Sequence, residues 1–98
     1  GIDLGTTYSC VAYANHKGTV QVISNNSGKC IIPSVVNFES RFAIVGEEAV
    51  KKRGTDAKNT VFQVKRFMGR NANDETLKQR KWPFEIVADE RGSANIRV

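Results

Sequence analysis

Gly1-Ile2-Asp3-Leu4-Gly5-Thr6-Thr7-Tyr8-Ser9-Cys10-Val11 is the stretch whose reading decides the fold. Apolar residues flank a turn that begins at Gly5, so the segment predicts a strand over Ile2 to Leu4, a tight turn, and a second strand over Cys10 to Ala14. A glycine, lacking Cβ, lets the backbone approach a ligand closely or adopt a positive φ. Successive N–H groups in such a turn form an anion-binding concavity without any helix. Thr6 and Thr7 add hydroxyl donors, and Asp3 supplies a carboxylate able to hold a hydrated divalent cation opposite phosphate groups. An ordinary hairpin turn has the same composition, so the turn alone leaves both readings open.

Ninety-eight residues make one small domain. An apolar share of 40% and a charged share of 26% are those of a globular protein. So short a chain buries a modest part of its surface, which predicts marginal stability without a partner or a second lobe. No apolar run approaches the roughly 20 residues of a membrane helix, and no signal peptide opens the chain. The chain begins inside a strand-like run and without Met, so its natural N-terminus is expected upstream. Cys10 and Cys30 form neither a disulfide framework nor a CxxC pair, and Cys10 is expected as a small core residue. The single histidine, His16, lies in a turn, which argues against a Cys/His metal site.

The net charge of +5 is uneven. Residues 51–70 hold seven basic side chains, Lys65 and Arg66 among them, against one acidic residue, Asp56. Such a cluster is either a phosphate or nucleic-acid patch or a solvated helix face. Nucleic-acid modules combine charge with exposed recognition residues. Phe62 and Phe67 fall at core positions instead, so no nucleic-acid partner is expected.

Along the chain, Val20 to Ile23 completes a three-stranded meander, and Asn25 to Gly28 is a surface loop. Pro33 breaks the pattern and marks the best internal boundary, with short strands over Ser34 to Phe38 and Phe42 to Val45. Glu47 to Arg53 predicts a helix with acidic residues in its first turn and basic ones in its last, stopped at Gly54. Asn59-Thr60 is read as the cap of a second helix carrying Val61, Val64 and Met68 at helical spacing and ending at Gly69. A polar helix is expected over Asp74 to Lys81, starting from a cap at Asn73-Asp74. Strands over Phe84 to Ala88 and Ala94 to Val98 follow.

These motifs, taken together and in order, resemble the N-terminal part of the ATPase domain of the 70-kDa heat-shock (Hsp70) chaperones. The opening stretch looks like that family's first signature. Asn59-Thr60-Val61-Phe62 with Lys65-Arg66-Phe67-Met68-Gly69-Arg70, the Pro33-Ser34 loop and Trp82-Pro83-Phe84 resemble later segments. The similarity runs along the whole chain, with small gaps around residues 16–19 and 70–82. It implies an α/β, actin-like (ribonuclease H-like) ATPase fold, first lobe only, with a mixed sheet and short helices. Residues 1–32 would form the base subdomain of that lobe, and residues 33–98 an incomplete upper subdomain.

The resemblance further implies that Gly5, Thr6, Thr7 and Tyr8 wrap the phosphates of ATP or ADP. It has Asp3 act through Mg²⁺ and its waters, Thr6 meet the terminal phosphate, and Lys65 reach the γ-phosphate and help to place the attacking water. Asp3 and Lys65 are thus the expected catalytic residues, and Arg66, beside Lys65, is expected in lobe contacts. This set suits phosphoryl transfer, which needs positioning and charge stabilisation above all. The implied partners are unfolded polypeptide clients, J-domain co-chaperones and nucleotide exchange factors, with neither nucleic acid nor membrane. Tyr8 resembles eukaryotic members, which implies cytoplasm, with the endoplasmic-reticulum lumen as the alternative.

The chain departs from the family pattern at Cys30-Ile31-Ile32, where an arginine and threonines are usual, and at Val35, where an aromatic or isoleucine is usual. That departure leaves open a divergent relative acting as a non-catalytic interaction protein. Another member of the actin and sugar-kinase superfamily is a further alternative. No second phosphate loop is present, so the isolated chain is expected to bind ATP weakly at best and to show no turnover.

Overall fold

The computed structural model describes residues 1–98 as a mixed α/β arrangement of nine strands, two short helices and two 3-10 turns. β1 (Ile2–Leu4), β2 (Tyr8–Ala14) and β3 (Val20–Val22) form the expected antiparallel meander, with Leu4 opposite Ser9 and Ala12 opposite Val22. The side chain of Asn15 shapes the β2–β3 turn, its Oδ1 accepting from the amides of Lys17 and Thr19. Asn25 does the same for Ser27 and Lys29 in the next loop. These are turns in which a short amide side chain replaces backbone partners.

A strand absent from the sequence reading, β4 (Ile32–Pro33), pairs with the start of β2, with Pro33 opposite Tyr8 and Ile32 opposite Ser9. β2 accordingly begins at Tyr8, two residues before the expected start. β5 (Val35–Asn37) then leaves for a second sheet, where it lies between β6 (Ile44–Val45) and β7 (Thr60–Phe62). α1 (Glu47–Lys52) has the expected charge polarity and packs on β5. It is preceded by Gly46 at φ 74, where an added Cβ would lie 2.7 Å from Ile32 Cγ2. Both the φ and the close approach require glycine there.

The helix expected over Val61 to Met68 is not formed. Val61 and Phe62 belong to β7, opposite Val36 and Val35. Gln63 then takes a left-handed conformation at φ 54, and Val64–Arg66 is a 3-10 turn. Thr-Val-Phe is a β-favouring triplet, and pairing with β5 outweighs the helical spacing. Thr60 caps no helix N-terminus: it ends the 3-10 turn Ala57–Asn59 and is fully buried, accepting from Asn37 Nδ2 and donating to the carbonyl of Asp56. Met68 is 59% exposed and holds no core position.

The polar helix is shorter than expected. α2 is only Glu75–Lys78, capped by Asp74, whose carboxylate accepts from the Thr76 amide. Trp82 ends it by donating its indole N–H to the carbonyl of Leu77. β8 (Glu85–Ala88) and β9 (Ala94–Arg97) close the chain as a hairpin.

The core is Phe67, Leu77 and Phe84, with Trp82, Phe62 and Ile86 packed against it. Phe84 meets three aromatic rings at centroid distances of 5.5 to 5.7 Å. Cys10 is half-buried instead of a core residue, and Cys30 is exposed. No helix is long and apolar enough to cross a membrane.

Candidate functional site

The turn joining β1 and β2 is Gly5-Thr6-Thr7. Gly5 is required there for a reason different from either one expected. Its φ is not positive, and the close approach is internal: an added Cβ would lie 2.1 Å from the carbonyl oxygen of Tyr8. The hairpin therefore closes more tightly at this end than any side chain permits.

The amide groups of Gly5, Thr6 and Thr7 donate to no protein acceptor, and neither threonine hydroxyl has a partner. The carbonyls on the other side of the turn are engaged. The Ser34 amide donates to Thr7 O at 2.8 Å, and Ser34 Oγ donates to Gly5 O at 2.8 Å. Three successive free N–H donors with two adjacent hydroxyls are the elements of an anion-binding nest. Asp3, one residue inside β1, is exposed and forms no ion pair. No group of three His, Cys, Asp or Glu side chains gathers anywhere that would enclose a metal. A lone carboxylate suits a cation that keeps most of its waters, as Mg²⁺ does.

Lys65 lies on the 3-10 turn after β7 and is exposed. It takes part in none of the salt bridges, which occupy Lys29, Lys51, Lys52, Arg70, Lys78 and Arg97. Its neighbour Arg66 is tied back, with Nε donating to Gln63 Oε1 at 3.0 Å. Arg53 is also engaged, its guanidinium 4.1 Å from the Phe62 ring centroid. Of the basic cluster, Lys65 is thus among the few side chains left without a partner. The structure does not bond Lys65 to the turn. The two segments instead border one apolar cavity of about 380 Å³, to which Leu4 and Ser9 contribute from the hairpin and Val61 and Val64 from the Lys65 segment.

A second cavity, of about 680 Å³, opens beside Thr7 and Tyr8. Cys30 and Ile31 line it, with Val50 and Arg53 across from them, so the residues that depart from the expected pattern face the turn's flank. Lys29 at its rim pairs with Glu47, and that hydrogen bond and charge raise the Lys29 pKa.

Two features escaped the sequence reading. Ser34 had no local signal, since its partners Thr7 and Gly5 stand far earlier in the chain. Gln63 is the one non-glycine residue with a positive φ, and nothing in its residue type announces it.

A family model described as Hsp70 protein matches residues 1–98. A heat shock protein of Pyricularia oryzae is 44% identical over 101 residues, covering 100% of this chain and 16% of the relative. A ribosome-associated molecular chaperone of Saccharomyces cerevisiae is 39% identical over 100 residues, again covering 100% of this chain and 16% of the relative. The heat shock 70 kDa protein cognate 1 of Drosophila simulans is 41% identical over 99 residues, covering 99% of this chain and 45% of the relative. The chain therefore spans 16% of the length of these fungal relatives.

Proposed function

The chain belongs to the Hsp70 family, and on that premise we propose that it supplies the first phosphate-binding hairpin of an ATPase domain in a molecular chaperone. The parent protein hydrolyses ATP to ADP and phosphate and uses that cycle to control the binding and release of unfolded polypeptides. J-domain co-chaperones and nucleotide exchange factors are its partners, and the cytoplasm is its compartment. Residues 1–32 act as the base of the first lobe and residues 33–98 as its upper part.

One observation carries this reading: the three unpartnered amides at Gly5, Thr6 and Thr7, with their hydroxyls. In the proposed role they hold β- and γ-phosphate oxygens, with Tyr8 completing the wrap. Lys65 brings a mobile positive charge to the γ-phosphate and orients the attacking water. Asp3 holds Mg²⁺ through water, and the metal when bound neutralises phosphate charge. Binding needs the opposing half of the cleft, so this chain alone holds nucleotide weakly.

The test is a chimera in which this chain replaces the matching segment of the Saccharomyces cerevisiae ribosome-associated chaperone. ATP hydrolysis within about tenfold of the unmodified chaperone supports the reading. A second reading, an interaction protein without turnover, draws on the apolar Cys30 and Ile31 beside the turn. A chimera that folds but neither binds nor hydrolyses ATP would favour that one.

A further inference from the structure

A two-stranded hairpin turn is ordinarily closed by its own hydrogen bond, from the residue after the turn to the carbonyl before it. Here that bond is absent. The Tyr8 amide does not donate to the Gly5 carbonyl, which instead accepts from Ser34 Oγ at 2.8 Å. The Thr7 carbonyl is likewise taken by the Ser34 amide, at 2.8 Å. Ser34 Oγ lies 2.8 Å from Ser9 Oγ as well. A hydroxyl has a single proton, and that of Ser34 goes to Gly5, so Ser9 is the donor between the two serines. A relay therefore runs from Ser9 to Ser34 to Gly5 O, joining the two arms of the hairpin beside the turn through one residue of another segment. The hydroxyl pair borders the apolar cavity between the two sheets, where few competing donors reach it and such a relay is strengthened.

We infer that Ser34 is a positioning residue for the phosphate turn: it grips the carbonyls of Gly5 and Thr7 so that the amides of Gly5, Thr6 and Thr7 are held together as free donors. This rests on the phosphate-binding reading for its purpose, though not for its geometry. A turn closed by its own hydrogen bond directs part of its backbone inward. One closed by a foreign side chain keeps three donors available without the chain collapsing onto them. The same residue joins the two sheets, since Ser34 stands between β4 and β5, and Val35 pairs with Phe62, just ahead of the Lys65 turn. A displacement of the second sheet therefore reaches the turn through Ser34, alongside the direct pairing of β4 with β2.

Backbone ¹⁵N relaxation of the 98-residue chain is the test. In the unmodified protein, the amides of Thr6 and Thr7 should be as rigid as those of Asp3 and Cys10 despite having no acceptor. Mobility there equal to that of Lys17 in the β2–β3 turn overturns the inference without any mutation. Ser34→Ala should loosen Thr6 and Thr7 to the level of Lys17 and move the Gly5 carbonyl ¹³C resonance, with β1 and β3 unchanged. Ser34→Thr, which keeps the hydroxyl, should restore both signals, and Ser9→Ala should show a smaller change of the same sign. Thr6 and Thr7 amides that stay rigid in a folded Ser34→Ala chain also overturn it.

Magnesium tripolyphosphate serves as the anion probe. It should perturb the Gly5 to Thr7 amides of the unmodified chain, and its affinity should fall about fivefold in Ser34→Ala, the value of one hydrogen bond. If millimolar tripolyphosphate, enough to detect the weak binding expected of this half of the cleft, leaves those amides unmoved while the relaxation results hold, Ser34 remains the brace of the turn and the phosphate reading alone fails.

Discussion

No residue before Val35 is buried, whereas the segment from Val35 to Phe84 contains all eight buried positions. The first region is held by strand ladders, asparagine-shaped turns and the hydroxyls of Ser9 and Ser34. Its apolar side chains lie open, Ile2 at 78% and Val20 at 68% exposure. The second region has an aromatic core of Phe67, Phe84 and Trp82 around Leu77, and a buried polar knot at Asn37 and Thr60. Stability and chemistry are thus divided along the chain. The hairpin contributes donors and almost no buried surface, and the remainder contributes burial and, in Lys65, a cation free of ion pairs.

That division is best broken by a substitution in the aromatic core. Phe84→Ala removes a ring that touches Phe62, Phe67 and Trp82, and large-to-small changes of this kind cost about 3–5 kcal/mol. Small domains have only about 5–15 kcal/mol in total. Chemical denaturation should show loss of most of the stability, with β1 and β2 unfolding in the same transition. If the β1–β2 hairpin survives with its amide protection intact, the two regions are independent, and Ser34 does not couple them.

Lys65→Ala should invert the pattern. Its side chain is exposed and unpaired, so stability should change by no more than about 0.5 kcal/mol. In the chimera, ATP hydrolysis should fall about 100- to 1,000-fold, the usual loss when one donor to a developing charge is removed. An unchanged turnover number would remove Lys65 from the site and leave only the hairpin.

Sequence reasoning reached the hairpin and the lysine by different routes. The meander was legible because glycine and asparagine turns separate short alternating runs, and α1 because its charges are polarised end to end. Thr60 to Met68 was misread because valines recur at helical spacing there. The deciding partner of Thr60 is Asn37, 23 residues away and invisible in the local pattern. At the candidate site, Gly5 to Thr7 is contiguous, so a tight turn was legible from residue types, but the same composition fits an ordinary hairpin and only the family resemblance pointed to phosphate. Lys65 was one of seven basic residues until a family resemblance selected it. Ser34 could not be found locally, because its role is defined by carbonyls on a distant turn.

Asn37→Ala probes the polar knot of the second region. Asn37 Nδ2 donates to Thr60 Oγ1 and Asp56 Oδ2, both at 2.9 Å, and its Oδ1 accepts from the Glu39 amide. Removing it leaves buried partners unsatisfied, a cost of about 1–3 kcal/mol. Thermal unfolding should shift down by less than in Phe84→Ala, and the chimera should keep its turnover at low temperature. A larger activity loss than stability loss would mean that β5 carries information to the site beyond holding it up.

The smallest effect should come from acid. The Thr76 hydroxyl, the Thr76 amide and Arg70 all bond the Asp74 carboxylate, which lowers its pKa from 3.8 to about 2. A carboxylate with a depressed folded-state pKa favours the folded state fully above its unfolded value. That contribution is lost as the pH falls from 3.8 through about 2. Asp74→Asn keeps an acceptor for the cap but cannot titrate, so the two proteins should differ at neutral pH and converge toward pH 2. Asp89 is depressed too, by the Ser93 amide above all, and titrates equally in both, so it cancels in the difference. Because α2 belongs to the second region, the convergence should be visible in the near-ultraviolet signal of Trp82, which is bonded to Leu77. Curves that stay parallel throughout that range would mean that the cap does not hold the end of the aromatic core.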